Sequence, residues 1–209
     1  MVFKLLSRIP LFGEVLRILN TYAYKGDPKA DERFASIWLW FRAFWFPVLL
    51  SAVGASFCMP EMTNAYLSAG YYLPYEVSVQ PGVTATSILP NLLGFGIGAY
   101  ALIFGLHKLL LRQLQDSYKA SPGDTKPPTG SALILNAEMA VPLLILALTI
   151  VVGLIQQLWP CIESLKAATW FAIWMSLIFT VELICTLFGL GENSILKSLI
   201  PEDTENPNP

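Results

Sequence analysis

Charge is scarce in this sequence, and so are the residues that hold metals. Of 209 residues only 13% are Asp, Glu, Lys or Arg, about half the roughly 25% of a soluble globular domain. So few charges cannot clothe a water-facing surface, which excludes a soluble enzyme and makes lipid the main solvent. One histidine and three cysteines provide no ligand spacing for a metal site, and no cofactor is implied. A net charge of −2 lacks the basic footprint of direct nucleic-acid binding. Neither a Ser/His/Asp set nor a phosphate loop can be assembled, so no catalytic residue is assigned and the chain is not expected to be an enzyme. The run GxGxxA from Gly94 to Ala99 opens no soluble strand–helix unit, so it is not a nucleotide fingerprint.

Apolar residues are abundant: 55% of the chain, with a mean hydropathy of +0.56. A spanning helix needs ~20 mainly apolar residues, because the hydrocarbon core is ~30 Å thick and a helix rises ~1.5 Å per residue. Four stretches qualify, at about 37–58, 86–106, 132–158 and 168–190. Continuous apolar runs exclude the alternating strands of a membrane β-barrel. The expected fold is an all-α integral membrane protein: an amphipathic interfacial segment over 1–34, a four-helix bundle over 35–191, and a tail over 192–209 that is disordered at its acidic, proline-rich end.

Orientation follows from Lys and Arg. Lys4, Arg8, Arg17, Lys25, Lys29 and Arg33 precede the first span, Lys108, Arg112, Lys119 and Lys126 lie between spans two and three, and Lys197 follows span four. The opposite side has Lys166 alone. Both termini are therefore expected in the cytoplasm, with the chain in the inner (plasma) membrane. At the amino end, Lys4, Arg8, Pro10, Glu14 and Arg17 interrupt the apolar residues, so the segment reads as an interfacial helix bent at Pro10 and Gly13, not a signal peptide. It is either a surface anchor or a lever that senses lipid or a partner. The outer loop from Met59 to Ala85 carries Tyr66, Tyr71, Tyr72 and Tyr75, which favour the headgroup level. The inner loop SYKASPGDTKPPTGS from Ser117 to Ser131 reads as a flexible linker.

Ionisable groups inside spans are costly and face protein or water. Arg42, Glu138 and Glu182 fall at similar depth in the inner half of the bilayer, with His107 closing span two on that side. This intramembrane charge cluster suggests a pairing of Arg42 with Glu138 or Glu182. Its role is either a clamp on helix register, with Arg42 and Glu138 snorkelling, or a proton- or cation-sensitive switch or ion path. In span two, Gly94, Gly98, Ala101 and Gly105 share one helix face, a surface for close helix approach. That face serves packing inside the bundle, or a subunit interface or pore-facing stripe. Asn91, Gln156 and Gln157 could cross-bond between helices, and Pro47 and Pro142 are expected to kink theirs. Cys58 and Cys161 fall at the outer ends of spans one and three, where an oxidising compartment allows a bridge if the Cα atoms come within ~7 Å. Cys185 is expected to be an inert packing residue.

The stretch ILPNLLGFGIGAYAL, from Ile88 to Leu102, resembles a motif of small four-span bacterial inner-membrane proteins found in anti-phage defence loci, the Kiwa membrane-subunit family among them. The resemblance implies a homo-oligomeric membrane sensor that holds a cytosolic DNA-binding effector at the inner membrane. Two functional classes follow. One is a non-catalytic oligomeric subunit that senses envelope disturbance and docks a cytosolic protein partner. The other is an ion channel or small transporter with a path past Arg42, Glu138 and Glu182. A third reading is an accessory subunit of another membrane complex.

Overall fold

The computed structural model describes residues 9–61, 64, 77–105 and 132–199. The loop tyrosines, His107, the proline-rich linker and the tail end lie outside them. Among the described residues every regular element is helical. Helix α1 runs Phe12–Ala23, α2 Ile37–Cys58, α3 Pro81–Gly105, α4 Ala132–Leu158 and α5 Glu163–Leu199, with a short 3-10 turn at Pro28–Asp31. Helices α2 to α5 are each long and apolar enough to cross a membrane, so the chain is a multi-pass membrane protein.

Two boundaries differ from the sequence expectation. α3 begins at Pro81, not near 86, because proline suits the first turn of a helix, where no backbone donor is needed. α5 has 37 residues, about 55 Å by helical rise, so it overshoots the hydrocarbon core. At the amino end the described helix starts after Pro10, and the expected bend there involves residues 1–8, which lie outside the described residues. Leu11 turns the chain with φ 65°. Pro47, Pro90 and Pro142 lie inside helices that continue through them.

α3 packs most extensively on α4, α4 on α5, and α2 on α5, while α1 crosses the ends of α4 and α2. The bundle therefore has a proximal end, where α2 and α4 begin and α1 lies, and a distal end. Two apolar clusters fill it: Ala85, Leu89, Leu146 and Ile173 toward the distal end, and Ile103, Leu135, Met139 and Leu183 toward the proximal end. The outward surface is just as apolar. Trp38, Phe41, Trp45, Phe46, Leu102 and Phe188 are all exposed, a surface that water would not tolerate but acyl chains do.

Without a hydrophobic drive between helices in lipid, close packing and hydrogen bonds must hold them. α2 meets α5 where Gly54 lies flat against the Trp174 indole. The indole N–H donates to the sulfur of Cys58 at 3.4 Å. α3 meets α4 at Gly82 and Gly153, where a Cβ on Gly153 would come within 2.7 Å of the Ala85 methyl. There Gln156 accepts from the Gly82 amide at 2.9 Å, and Gln157 donates to the Gly82 carbonyl at 2.9 Å and the Thr86 hydroxyl at 2.8 Å. The expected glutamine cross-bonds thus reach the first turns of α3, while Asn91 is exposed. Midway down, the buried hydroxyls of Thr149 and Ser176 join α4 to α5 at 2.7 Å.

Gly94 and Gly98 play no part in this packing. A Cβ on either would meet nothing within 4 Å, and Ala101 is exposed as well. The face α3 turns inward carries Ala85, Leu89, Gly96 and Ile103. Gly94 lies five residues from Leu89, about 140° round the helix, so the Gly94, Gly98 and Ala101 part of the stripe points away. The surroundings of Gly105 lie outside the described residues. The three cysteines are free. A Cys58–Cys161 bridge is absent because Cys58 turns inward to Trp174 while Cys161 is exposed in the α4–α5 connection. Cys185 is exposed on α5, so it faces outward and does not fill the core.

Candidate functional site where α1 meets the bundle

The amphipathic α1 buries a narrow edge of small or polar residues, Gly13, Asn20 and Ala23, and leaves Phe12 outward. Its docking depends on Asn20, which is fully buried. The side-chain amide donates to the carbonyls of Ala30 at 2.7 Å and Arg33 at 2.8 Å, and its oxygen accepts from the Ala35 amide at 2.8 Å. One side chain therefore satisfies three backbone groups of the segment joining α1 to α2. The Tyr24 hydroxyl donates to the Phe34 carbonyl at 3.1 Å. The turn itself needs Lys25 at φ 53° and Gly26 at φ 75°, a left-handed passage where glycine costs least. With that connection fixed, α1 ends where its last turn can reach between the spans.

Tyr22 makes that reach. Its ring lies 5.4 Å from Phe44 of α2 and 6.0 Å from Phe179 of α5, and those two rings are 6.1 Å apart. Its hydroxyl donates to Oε1 of Glu182 at 2.6 Å, the short end of the O–H···O range. Glu182 and Glu138 are both half-buried, and Glu138 lies in the field of Glu182 and of Lys25. Burial first, and then the bond to Glu182, push the Tyr22 phenol above its ordinary range. The phenol is therefore held as a neutral donor.

Depth can be read from helix lengths. About twenty residues back from Leu158 along α4 comes Glu138, and about twenty onward from Ala167 along α5 comes Leu187. Glu138 thus lies four residues inside the proximal end of the apolar span Ile134–Leu158 and Glu182 ten residues inside that of Glu163–Glu192, and α1 packs at those ends.

Of the expected charge cluster, Glu138 and Glu182 come together and Arg42 does not. Arg42 is exposed among the aromatic residues of α2, and among the described residues no ion pair joins it to either acid. The inward edge of α2 is Pro47, Ser51 and Gly54, and Arg42 lies about 140° round from Pro47. His107 lies outside the described residues. In place of the arginine stand Tyr22 and Lys25, both from the interfacial segment.

Among the described residues no group of histidine, cysteine, aspartate and glutamate could hold a metal ion. The arrangement offers no activated nucleophile; it can bond, release or hold a proton between a phenol and two carboxylates. Comparisons with family models, with curated proteins and with solved structures find no match for this chain.

Proposed function

We propose that this chain is a non-catalytic, oligomeric subunit of the inner membrane, with both termini in the cytosol, that senses disturbance of the envelope and docks a cytosolic effector. Anti-phage defence is the setting its span-two motif suggests. The observation that carries this reading is the 2.6 Å bond from Tyr22 to Glu182. It ties a helix lying along the bilayer surface directly to a spanning helix. A change in lipid packing that lifts α1 must break that bond or move α5, so a surface event becomes a movement within the bundle. The basic residues near α1 and the linker give a cytosolic partner its contact. The outward Gly94, Gly98 and Ala101 face gives subunits a surface on which backbones can approach closely.

The channel reading draws on Glu138 and Glu182 facing each other at one depth. Against it, Met139, Leu183 and Phe179 fill that level of the bundle with almost no exposure, so a single chain offers ions an apolar plug. Two measurements separate the readings. Tagged full-length protein is purified from bacterial membranes under mild detergent, then reconstituted in dye-loaded liposomes. The docking reading expects one stoichiometric cytosolic protein to co-purify, to be lost with Tyr22→Phe, and the liposomes to stay sealed. Ion flux through purified wild-type protein would overturn it in favour of a channel, and purification free of any cytosolic protein would remove the effector.

A further inference from the structure

A cavity of about 280 Å³ opens between α1 and the proximal ends of α3 and α4. Its α1 face, Glu14, Arg17, Ile18 and Thr21, lies about a quarter-turn round the helix from Tyr22. Glu14 and Arg17 of α1, and Asp27 of the turn after it, supply charges of both signs. Tyr100 and Asn136 close the bundle side, the Tyr100 hydroxyl donating to Oδ1 of Asn136 at 2.8 Å. That bond leaves the Asn136 amide N–H₂ as a donor toward a ligand. Ala137 and Ala140 form a floor of small side chains. The volume falls just below the ~300–1,000 Å³ of drug-sized small-molecule sites, enough for a polar headgroup alone. It sits at the proximal ends of the spans, Asn136 being two residues inside Ile134–Leu158, on the side where the amphipathic α1 packs against them.

From this we propose that the cavity is a headgroup site for a zwitterionic phospholipid bearing a primary ammonium, of the phosphatidylethanolamine class. The primary ammonium carries three N–H donors, and Glu14 and Asp27 supply carboxylate acceptors for them. The phosphate faces the Arg17 guanidinium, whose five donors can serve more than one acceptor, and the Asn136 amide. Choline lipids have no N–H to donate, and a glycerol headgroup brings a net negative charge and no cation to two carboxylates. The acyl chains leave past Ala137 and Ala140 along α4. The inference needs only the spans and the interfacial α1, and it stands whether or not a cytosolic effector docks.

The test uses purified full-length protein, delipidated in detergent and equilibrated with equal amounts of phosphatidylethanolamine, phosphatidylcholine and phosphatidylglycerol. Bound lipid is read by native mass spectrometry. The ethanolamine lipid should be retained about tenfold over the other two, the scale of a lost charge-assisted hydrogen bond. Glu14→Gln combined with Asp27→Asn should abolish the preference. Glu32→Gln, exposed and outside the cavity, should leave it intact, with circular dichroism confirming that all variants fold. Equal retention of the three lipids, or a preference that survives the double substitution, would overturn the proposal. A further arm adds soluble glycerophosphoethanolamine; displacement of the lipid by it at sub-millimolar concentration would overturn assignment to an anchored lipid, and indifference to it supports that assignment.

Discussion

At the scale of single residues, docking of α1 rests on two side chains. Asn20 satisfies three backbone groups in a buried setting, so Asn20→Ala leaves those groups without partners at a cost of about 2–4 kcal/mol. The expected readout is faster proteolysis between Ala23 and Ser36, with the helical content of the spans unchanged. Tyr22→Phe keeps the ring contacts and removes only the donor to Glu182, for a loss of about 1–3 kcal/mol in thermal unfolding. The raised phenol gives a second readout. Because its folded value lies above the ~10 of a free tyrosine, its contribution to stability is whole below ~10 and is lost as pH climbs through the raised value. In absorbance titration at tyrosinate wavelengths, Tyr22→Phe should remove amplitude from the most alkaline part of the curve only. Glu138 and Glu182 are legible in sequence as charges within apolar runs, and so is their shared depth. Their partner is not. Depth fixes a level but not a direction round the helix, which is why Arg42 turns outward while Tyr22, 160 residues from Glu182, turns in.

Elements carry a different kind of information. Runs of ~20 apolar residues make the four spans readable from composition alone, whereas the face each span turns inward is nearly invisible, because lipid-facing and core-facing positions are equally apolar. Glycines in α3 illustrate this. The conspicuous Gly94 and Gly98 lie in open space, and the helix contact runs through Gly82 and Gly153. Gly153→Val should therefore destabilise the isolated chain by about 1–3 kcal/mol through overpacking against Ala85. Gly94→Leu with Gly98→Leu should leave the chain's own thermal unfolding unchanged in detergent. If that face joins subunits, the same double variant shifts the oligomer toward monomer in size-exclusion chromatography with light scattering. Destabilisation by the outward pair and tolerance of the inward change would contradict the packing described here.

For the molecule as a whole, topology is the testable property. Cys161 is exposed in the connection at the distal end, and Cys58 turns inward to an indole. In intact cells a membrane-impermeant maleimide should label Cys161 promptly if the distal end is extracytoplasmic, as the distribution of Lys and Arg predicts, and Cys161→Ser should remove that label. Labelling that appears only after the cells are opened would invert the orientation. On non-reducing gels the protein should show no intrachain crosslink between Cys58 and Cys161.

The length of α5 adds a mechanical consequence. Glu182 is partway along one unbroken helix, and about 25 Å of that helix continues from there to Leu199. A swing of only ~10° about the Glu182 level would carry its tip through about 4 Å by simple geometry over that length. In the proposed sensing role the rod would serve as the needle of a gauge: a displacement too slight to disturb the buried rings is magnified at the far end of α5, where a neighbouring protein could read it.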